Sequence, residues 1–306
     1  MVSRRDEPGT THIDLEAIMA FRDKSPLLIS AVVMTKNEAS VIVDCLTSLA
    51  RFAQVFVVDS NSVDATPDLA RANGATVVNF TWDGRYPKKK QWCLENLPIQ
   101  HDWALFVDAD ERVSPQLESE LLALDLAGSE FSAFEMPLEY YFLGQRLRRG
   151  HRVRKRSLVR VSETRFPEID DLGVSNMWEV EGHYQPTAKG PVGRLRGSLL
   201  HQDTDSLYDY FARHNRYSDW EAFVAEHPHV AQQVNPQRTR LGRLAAGLRG
   251  RGLAFFLYSY VFRLGFMDGR AGFHYAIALA FYYWQIGVKR VEMLNLGHEG
   301  FPSERT

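Results

Sequence analysis

The sequence predicts an α/β protein with a mostly parallel sheet and helices on both of its faces. Three observations carry this. Between residues 27 and 110, short apolar runs alternate with helical patterns. The runs are apolar nearly throughout, as strands buried on both faces must be. Each run ends in a polar segment, at the strand end where open α/β sheets bind ligands.

Residues 1–26 read as an arm with a short helix over Leu15 to Phe21. Leu27 to Met34 is the first strand. Ala39 to Leu49 follows, with Val41, Ile42, Cys45, Leu46 and Leu49 on one helical face. Val55 to Val58 is a second strand. Thr66-Pro67 opens the next helix and Gly74 closes it. Thr76 to Phe80, Lys89 to Leu97 and Ala104 to Val107 read as strand, helix and strand. After Ser129 the pattern changes. Phe131 to Phe142 mixes aromatics with alternation and reads as strand, and shorter strands run on to His201. Leu207 to Val224 is helical, His227 to Gln237 a polar loop, and Phe273 to Val288 dense in aromatics.

The chain has 306 residues, 45% hydrophobic, with a formal net charge of −2, enough for one large or two ordinary domains. Charge is distributed unevenly. No acid falls between Glu139 and Glu163, where seven arginines and Lys155 lie, nor between Glu226 and Asp268, where Arg238, Arg240, Arg243, Arg249, Arg251 and Arg263 lie. Two basic blocks in a near-neutral chain point to anionic ligands or an anionic surface. Nucleic acid is not an expected partner. Cys45 and Cys93, the only cysteines, lie in apolar helical patterns and read as core thiols of a reducing compartment. The charged stretch Met1 to Glu7 lacks the apolar region of a signal peptide.

The richest segment is Leu105-Phe106-Val107-Asp108-Ala109-Asp110-Glu111. A buried strand ends in carboxylates at i and i+2, on one side of the chain. Two hard oxygen ligands suit Mg²⁺ or Mn²⁺, whose remaining ligands are often phosphate oxygens. The competing reading is a loop capping the next helix, with Ser114-Pro115 as N-cap and first turn. Three other segments reach the same rim: Thr35 to Glu38, Asp59 to Asp64 and Trp82 to Lys90. There is no Gly-x-Gly-x-x-Gly fingerprint and no Walker loop. An acid-rich rim without a glycine loop implies that a metal neutralises the phosphates.

With Val32-Val33-Met34-Thr35-Lys36-Asn37-Glu38, Val57-Val58-Asp59-Ser60-Asn61-Ser62-Val63-Asp64-Ala65-Thr66 and Val107-Asp108-Ala109-Asp110-Glu111, the chain resembles the family-two glycosyltransferases of GT-A fold. The resemblance covers residues 27 to 125 well. Tyr141 to Gly144, Gly190 to His201 and Arg263 to Gly272 resemble the bacterial lipopolysaccharide core β-glucosyltransferases. The fold implied is a Rossmann-like mixed, mostly parallel sheet flanked by helices, with a C-terminal helical, aromatic-rich extension. The domains implied are a GT-A unit over 27–205, split into a nucleotide-sugar half (27–125) and an acceptor half (126–205), followed by a membrane-associating or oligomerising region over 206–306.

The resemblance also implies roles. Thr35, Asn37 and Glu38 line the nucleotide pocket and Asp59 meets the base. Lys90 approaches the nucleotide or diphosphate. Asp110 is the metal ligand, Asp108 faces ribose and metal, and His201 is a third ligand or a diphosphate contact. The ion is Mn²⁺ or Mg²⁺ and the donor a nucleotide-sugar, UDP-sugar first. The acceptor is a glycan or glycolipid of the cell envelope, and the reaction is inverting. An acceptor hydroxyl must lose its proton as it attacks, which asks for a carboxylate base. Glu179 in Met177-Trp178-Glu179-Val180-Glu181 is the choice, with Glu181 and Asp171 behind it. Related enzymes have a His-Glu pair where Trp178-Glu179 stands. Arg156, within the Arg152-to-Arg160 group, is a candidate for the donor diphosphate because Arg makes bidentate phosphate contacts.

The run from Ala271 to Val288 is barely of spanning length. Its tyrosines, His274 and Gln285 favour an interface over the hydrocarbon centre. With the arginines before it, it reads as lying on an anionic cytoplasmic leaflet or packing in a homo-oligomer, which makes the chain a peripheral protein of the inner membrane face. A metal-dependent nucleotidyltransferase and a non-catalytic nucleotide-sugar or lipid-binding protein are the rival functions. The first would want a glycine- and basic-rich loop near the first strand, and the second would need no base.

Overall fold

The computed structural model describes residues 26–168, 185–202, 206–234 and 250–296. Glu179, Trp178, Glu181 and Asp171 lie outside these residues, as do the N-terminal arm and Arg238, Arg240, Arg243 and Arg249.

The first half alternates as expected. Strands β1 (Leu27–Thr35), β2 (Phe52–Asp59), β3 (Thr76–Asn79) and β4 (Trp103–Asp108) enclose helices α1 (Ile42–Ser48), α2 (Thr66–Ala72) and α3 (Lys89–Asn96). β1 pairs parallel with β2 and β4, and β2 with β3. Ile29, Ala31 and Val33 face a core with Ile42, Cys45, Leu117 and Leu121. Val32 and Met34 face a second core with Phe56, Cys93 and Phe106. One strand thus feeds two apolar layers, which is why it is apolar at nearly every position.

A short strand, β5 (Glu111–Val113), follows β4 directly, and helix α4 (Pro115–Ala123) follows it. Ser114 caps α4, its hydroxyl accepting the Leu117 N–H at 3.2 Å. The capping reading and the strand-end acid pair are therefore both present. The second half adds β6 (Ala133–Phe142), β7 (Gln145–Arg146), β8 (Val153–Arg160), the β9 (Thr164–Arg165) and β10 (Thr187–Ala188) hairpin, β11 (Val192–Arg194) and β12 (Leu199–His201). The main sheet runs β3-β2-β1-β4-β8-β6-β12-β5, with β7 and β11 paired to β6. Where β8 joins β4 and β6 the pairing turns antiparallel. The fold is the mixed, mostly parallel sheet with flanking helices that the sequence led us to expect.

Among the described residues beyond β12 lie helices α5 (Leu207–Glu226), α6 (Pro228–Val234), α7 (Arg251–Phe256) and α8 (Gly269–Leu296). The polar loop expected from His227 begins instead as α6. Pro228 opens this helix, where its missing N–H costs nothing and its fixed φ suits the first turn. A π-helical segment (Leu257–Phe262) and a 3₁₀ turn (Gly265–Asp268) join α7 to α8. No described helix is long and apolar enough to cross a membrane.

This C-terminal hairpin is fastened to the loop after β7. Buried Asp268 accepts the backbone N–H groups of Arg148 (3.0 Å) and Arg149 (2.7 Å) on Oδ2. Gly150 N–H donates to Arg263 O at 2.9 Å, and His151 N–H to Ser259 Oγ at 3.1 Å. Gly272 permits the close approach of α8, since a Cβ there would stand 2.1 Å from Gly265 O. We expect Asp268→Ala to strand two amide groups and to destabilise the fold by about 1–3 kcal/mol. Chemical denaturation of the two proteins measures it. An unchanged midpoint would mean that the hairpin does not depend on this fastening.

Candidate active site

The site grows from the C-terminal ends of β1, β2 and β4. Thr35 pairs with Asp59 across β1 and β2, and Met34 with Asp108 across β1 and β4. Register alone therefore places three of the expected polar residues on one rim. The Asp59 carboxylate is buried and fully engaged. Its Oδ1 accepts the hydroxyls of Thr35 (2.9 Å) and Ser62 (2.5 Å), and its Oδ2 the Ser62 N–H (2.8 Å). Asn37, at φ 58°, stitches the two loops: its N–H donates to Ser62 Oγ and its Oδ1 accepts the Val63 N–H. Glu38 N–H donates to Thr66 Oγ1 at 2.7 Å. These loops are pinned before any ligand arrives.

Lys88, Lys89 and Lys90 are all buried, at 4%, 1% and 5% exposure, so they are no solvated surface run. Lys89 donates to Thr35 O (3.0 Å) and Ser60 Oγ (2.5 Å), bracing the β1 and β2 ends. The Lys90 ammonium lies within electrostatic reach of Asp108. Lys88 lies over the rings of Trp82 (5.0 Å) and Trp220 (5.9 Å), tying the loop after β3 to α5.

At the end of β4, Asp108, Asp110 and Glu111 meet one cation that no local pattern foretold. Lys155 of β8 donates to Asp108 Oδ2 and to both oxygens of Glu111, each at 2.7 Å. Leu105 pairs with Leu158 across β4 and β8, so the adjoining stretch of β8, where its pairing with β6 shifts register, carries Lys155 alongside the end of β4. Glu111, 1% exposed, also accepts the Asp108 N–H at 3.0 Å. Burial pushes the Glu111 carboxyl up, with Lys155 opposing and the two aspartates adding to the rise. For Asp108 burial acts upward too, but the Lys155 and Lys90 charges overcome it and hold the group well below the carboxylate range. Its side chain keeps 41% of its surface in solvent, so water screens part of that field. Lys155 is itself held charged, its desolvation outweighed by Asp108 and Glu111.

β12 runs between β6 and β5 and brings in His201, opposite Glu111 on one side and Tyr140 on the other. His201 Nδ1 lies 3.4 Å from Asp110 Oδ2. Burial presses the Asp110 carboxyl upward, yet the charge and hydrogen bond of His201 leave it below its ordinary value. Asp110 Oδ1 is buried with no hydrogen-bond partner. A buried carboxylate oxygen with an unused lone pair, beside an imidazole and a second carboxylate, fits a hard divalent ion. Among the described residues no three His, Cys, Asp or Glu side chains stand ready as a closed ligand set.

Tyr140 packs edge-on against His201 at 5.3 Å. Tyr217 of α5 lies within electrostatic reach of the acid pair. Burial together with Asp108 and Asp110 raises its hydroxyl to about 12, while Arg213 and Arg216 act downward. The sequence placed α5 in the C-terminal region, yet its charge environment includes this rim.

Arg156 is not brought to the acid pair. Its guanidinium donates to Glu135 Oε1 (2.8 Å) and Pro186 O (2.7 Å), because neighbours on a strand face opposite ways and Lys155 takes the other face. Most of the first basic block is likewise committed internally: Arg154 to the Glu135 and Leu195 carbonyls, Arg160 to Ser129 O and the Trp103 ring, and Arg146 to Glu139.

Lys155→Met should destabilise the protein by roughly 3–5 kcal/mol at neutral pH, the scale for removing one partner of a buried ion pair. Without Lys155 the folded-state carboxyl values rise above their unfolded ones, so stability is retained at low pH and lost as pH rises through them. The gap to wild type should therefore widen from about pH 4 to pH 7, read from melting temperatures across that range. A gap independent of pH would remove the electrostatic account of Lys155.

Residues 30–166 match the family described as Glycosyl transferase family 2. The chain is similar to a lipopolysaccharide core biosynthesis glycosyltransferase, LpsC, of Rhizobium meliloti, 28% identical over 207 residues, or 64% of this chain and 71% of that protein. It is 40% identical over 94 residues to an uncharacterised glycosyltransferase of Rickettsia felis, which covers 30% of this chain and 32% of the relative. Among solved structures it is similar to glucosyl-3-phosphoglycerate synthase of Mycobacterium tuberculosis, in complex with Mn²⁺, uridine diphosphate and glucosyl-3-phosphoglycerate. Identity there is 25%, coverage 45% of this chain and 51% of that one, and the TM-score 0.30. The chain thus spans about half the length of that enzyme and about a third of the Rickettsia relative.

Proposed function

We propose a specific sugar-transfer reaction for this chain, which carries a glycosyltransferase family 2 domain over residues 30–166. The reaction moves a sugar from a nucleotide-sugar donor, UDP-sugar first, to a hydroxyl of a glycan or glycolipid acceptor in cell-envelope synthesis, with inversion at the anomeric carbon. The likeness to a lipopolysaccharide core enzyme supports the acceptor class. The observation that carries the reading is the rim itself. Asp108, Asp110 and Glu111 gather there beside His201, and one buried Asp110 oxygen has no hydrogen-bond partner.

Asp110, with His201 and the solvent-facing oxygen of Asp108, would hold Mn²⁺ or Mg²⁺. Such an ion offsets the charge that grows on a departing diphosphate. Thr35, Asn37, Glu38 and Asp59 supply a pinned pocket for base and ribose, and pre-formed loops lower the entropy cost of binding. Lys90 places a buried ammonium where it steadies the diphosphate and, with Lys155, prevents the carboxylates from repelling it. Tyr140 and Tyr217 limit the water around the reacting carbon. Glu179 takes the proton of the attacking hydroxyl. The protein works at the inner face of the cell membrane, held there peripherally.

Asp110→Ala should abolish transfer and shift the melting transition little, since the one side-chain pairing it removes is the 3.4 Å contact with His201. Labelled-sugar transfer, measured with and without Mn²⁺, checks this, and near-normal turnover in metal-free buffer would overturn the metal assignment. Glu179→Gln should lower turnover by roughly a hundredfold or more, the scale of a lost general base, with donor affinity kept. A large loss in Glu181→Gln but not in Glu179→Gln would transfer the role to Glu181.

A further inference from the structure

The C-terminal hairpin turns a broad apolar surface to solvent. At its tip Phe262 is 77% exposed, Met267 58%, Phe266 48% and Leu264 40%. The tip continues into α8 through Phe273, whose ring packs edge-on to Phe256 and Tyr260. Along α8, Ile277, Phe281, Trp284, Val288 and Val291 follow at four- and three-residue spacing, each between 42% and 55% exposed. These five form one helical stripe. So large a contiguous apolar patch on a protein surface marks an interaction site.

Charge selects the partner. The described residues 250–291 hold one acid, Asp268, and it is buried under the Arg148 and Arg149 amides. Arg263 and Arg270 flank the tip and are both exposed. Aromatic and aliphatic side chains on one side, arginines beside the tip, and no exposed acid before Glu292 at the far end of α8 describe a surface for an anionic lipid interface. A self-association seam would be expected to carry charges of both signs along its flanks.

We infer that the hairpin tip around Phe262 and Met267, continued by the α8 stripe, docks on an anionic phospholipid bilayer, with Arg263 and Arg270 against the headgroups. This names the contact surface for the peripheral attachment proposed above and rests on that reading, whereas the sugar-transfer chemistry does not depend on it. The surface lies in the plane of the interface and does not span it, in keeping with α8 being too polar to cross.

The experiment is flotation of the full chain with vesicles of phosphatidylcholine alone or mixed with phosphatidylglycerol. Wild type should float with the mixed vesicles, and added salt should weaken its binding. Phe262→Ser with Met267→Ser should weaken it by roughly tenfold or more, given the apolar area withdrawn from the bilayer. Arg263→Glu with Arg270→Glu should abolish the preference for anionic lipid. Circular dichroism melts confirm that the variants fold. Wild type that stays with neither vesicle, but sediments as a dimer that the Phe262 and Met267 changes dissociate, would assign the face to a second copy. Flotation unaltered in both variants would overturn the surface. Donor hydrolysis is measured on the same samples. Wild type that hydrolyses donor but floats with neither vesicle overturns this surface alone, and wild type that floats without hydrolysis or transfer overturns the sugar-transfer reading alone.

Discussion

Three carboxylates within four residues cannot share a partly dry rim without a counter-charge, and the Lys155 ammonium supplies it. Glu111 is the member that makes this compulsory. Asp108 and Asp110 retain some solvent, but Glu111 is enclosed and bonded to the backbone of Asp108. An ionised carboxylate there, with no partner, would cost several kcal/mol or would take up a proton. Lys155 reaches it because β8 runs antiparallel to β4 and carries residue 155 past the end of that strand. The reversal of strand direction in the middle of the sheet is thus tied to the charge at the end of β4. The second half of the chain completes the first half electrostatically as well as by pairing.

The same logic orders the remaining elements. β12 is three residues long, yet it pairs on both sides and ends in His201, which lowers the Asp110 carboxyl against the pull of burial. Beneath the rim, Lys89 spends its charge on a carbonyl and a hydroxyl, so that the loops after β1 and β2 keep one conformation. The outcome is a rim whose β1–β2 side is already hydrogen-bonded and whose β4 side keeps, among the described residues, a buried Asp110 oxygen without a hydrogen-bond partner. That asymmetry is what a site would need if it fixes a base by shape and a diphosphate by charge.

Much of this was legible in the sequence. Continuous apolar runs gave β1, β2 and β4, and the period of two put Asp108 and Asp110 on one side. Ser114-Pro115 announced both a cap and a helix start. What was not legible depends on register between distant strands. Lys155 sits in an arginine run that looks like a solvated or phosphate-binding face, and nothing local distinguishes it from Arg156. Its importance and the opposite orientation of Arg156 follow from which residue of β8 stands across from β4. The fate of Arg154 has the same origin, since carbonyls of β6 and the loop after β11 receive its guanidinium group. His227 to Gln237 misled for a different reason. Two prolines suggested a break, but Pro228 stands at a helix start, where proline is favoured.

The helix α5 links the two functional faces. Through Tyr217 it lies within electrostatic reach of the acid pair, and through Lys88 and Trp220 it holds the loop after β3. On its other side, buried Asp219 is bridged by Lys289 of α8, and Arg290 pairs with Glu226. A rigid helix between the acid-rich rim and an apolar surface fixes the distance and the angle between them. If α8 rests on a bilayer, the rim is then held at a set height above the headgroups. Selectivity for an acceptor would follow partly from reach, because only a hydroxyl carried at that height arrives in line with the donor. Such positioning acts like an intramolecular arrangement, in which orientation is settled before the chemical step and need not be won during it.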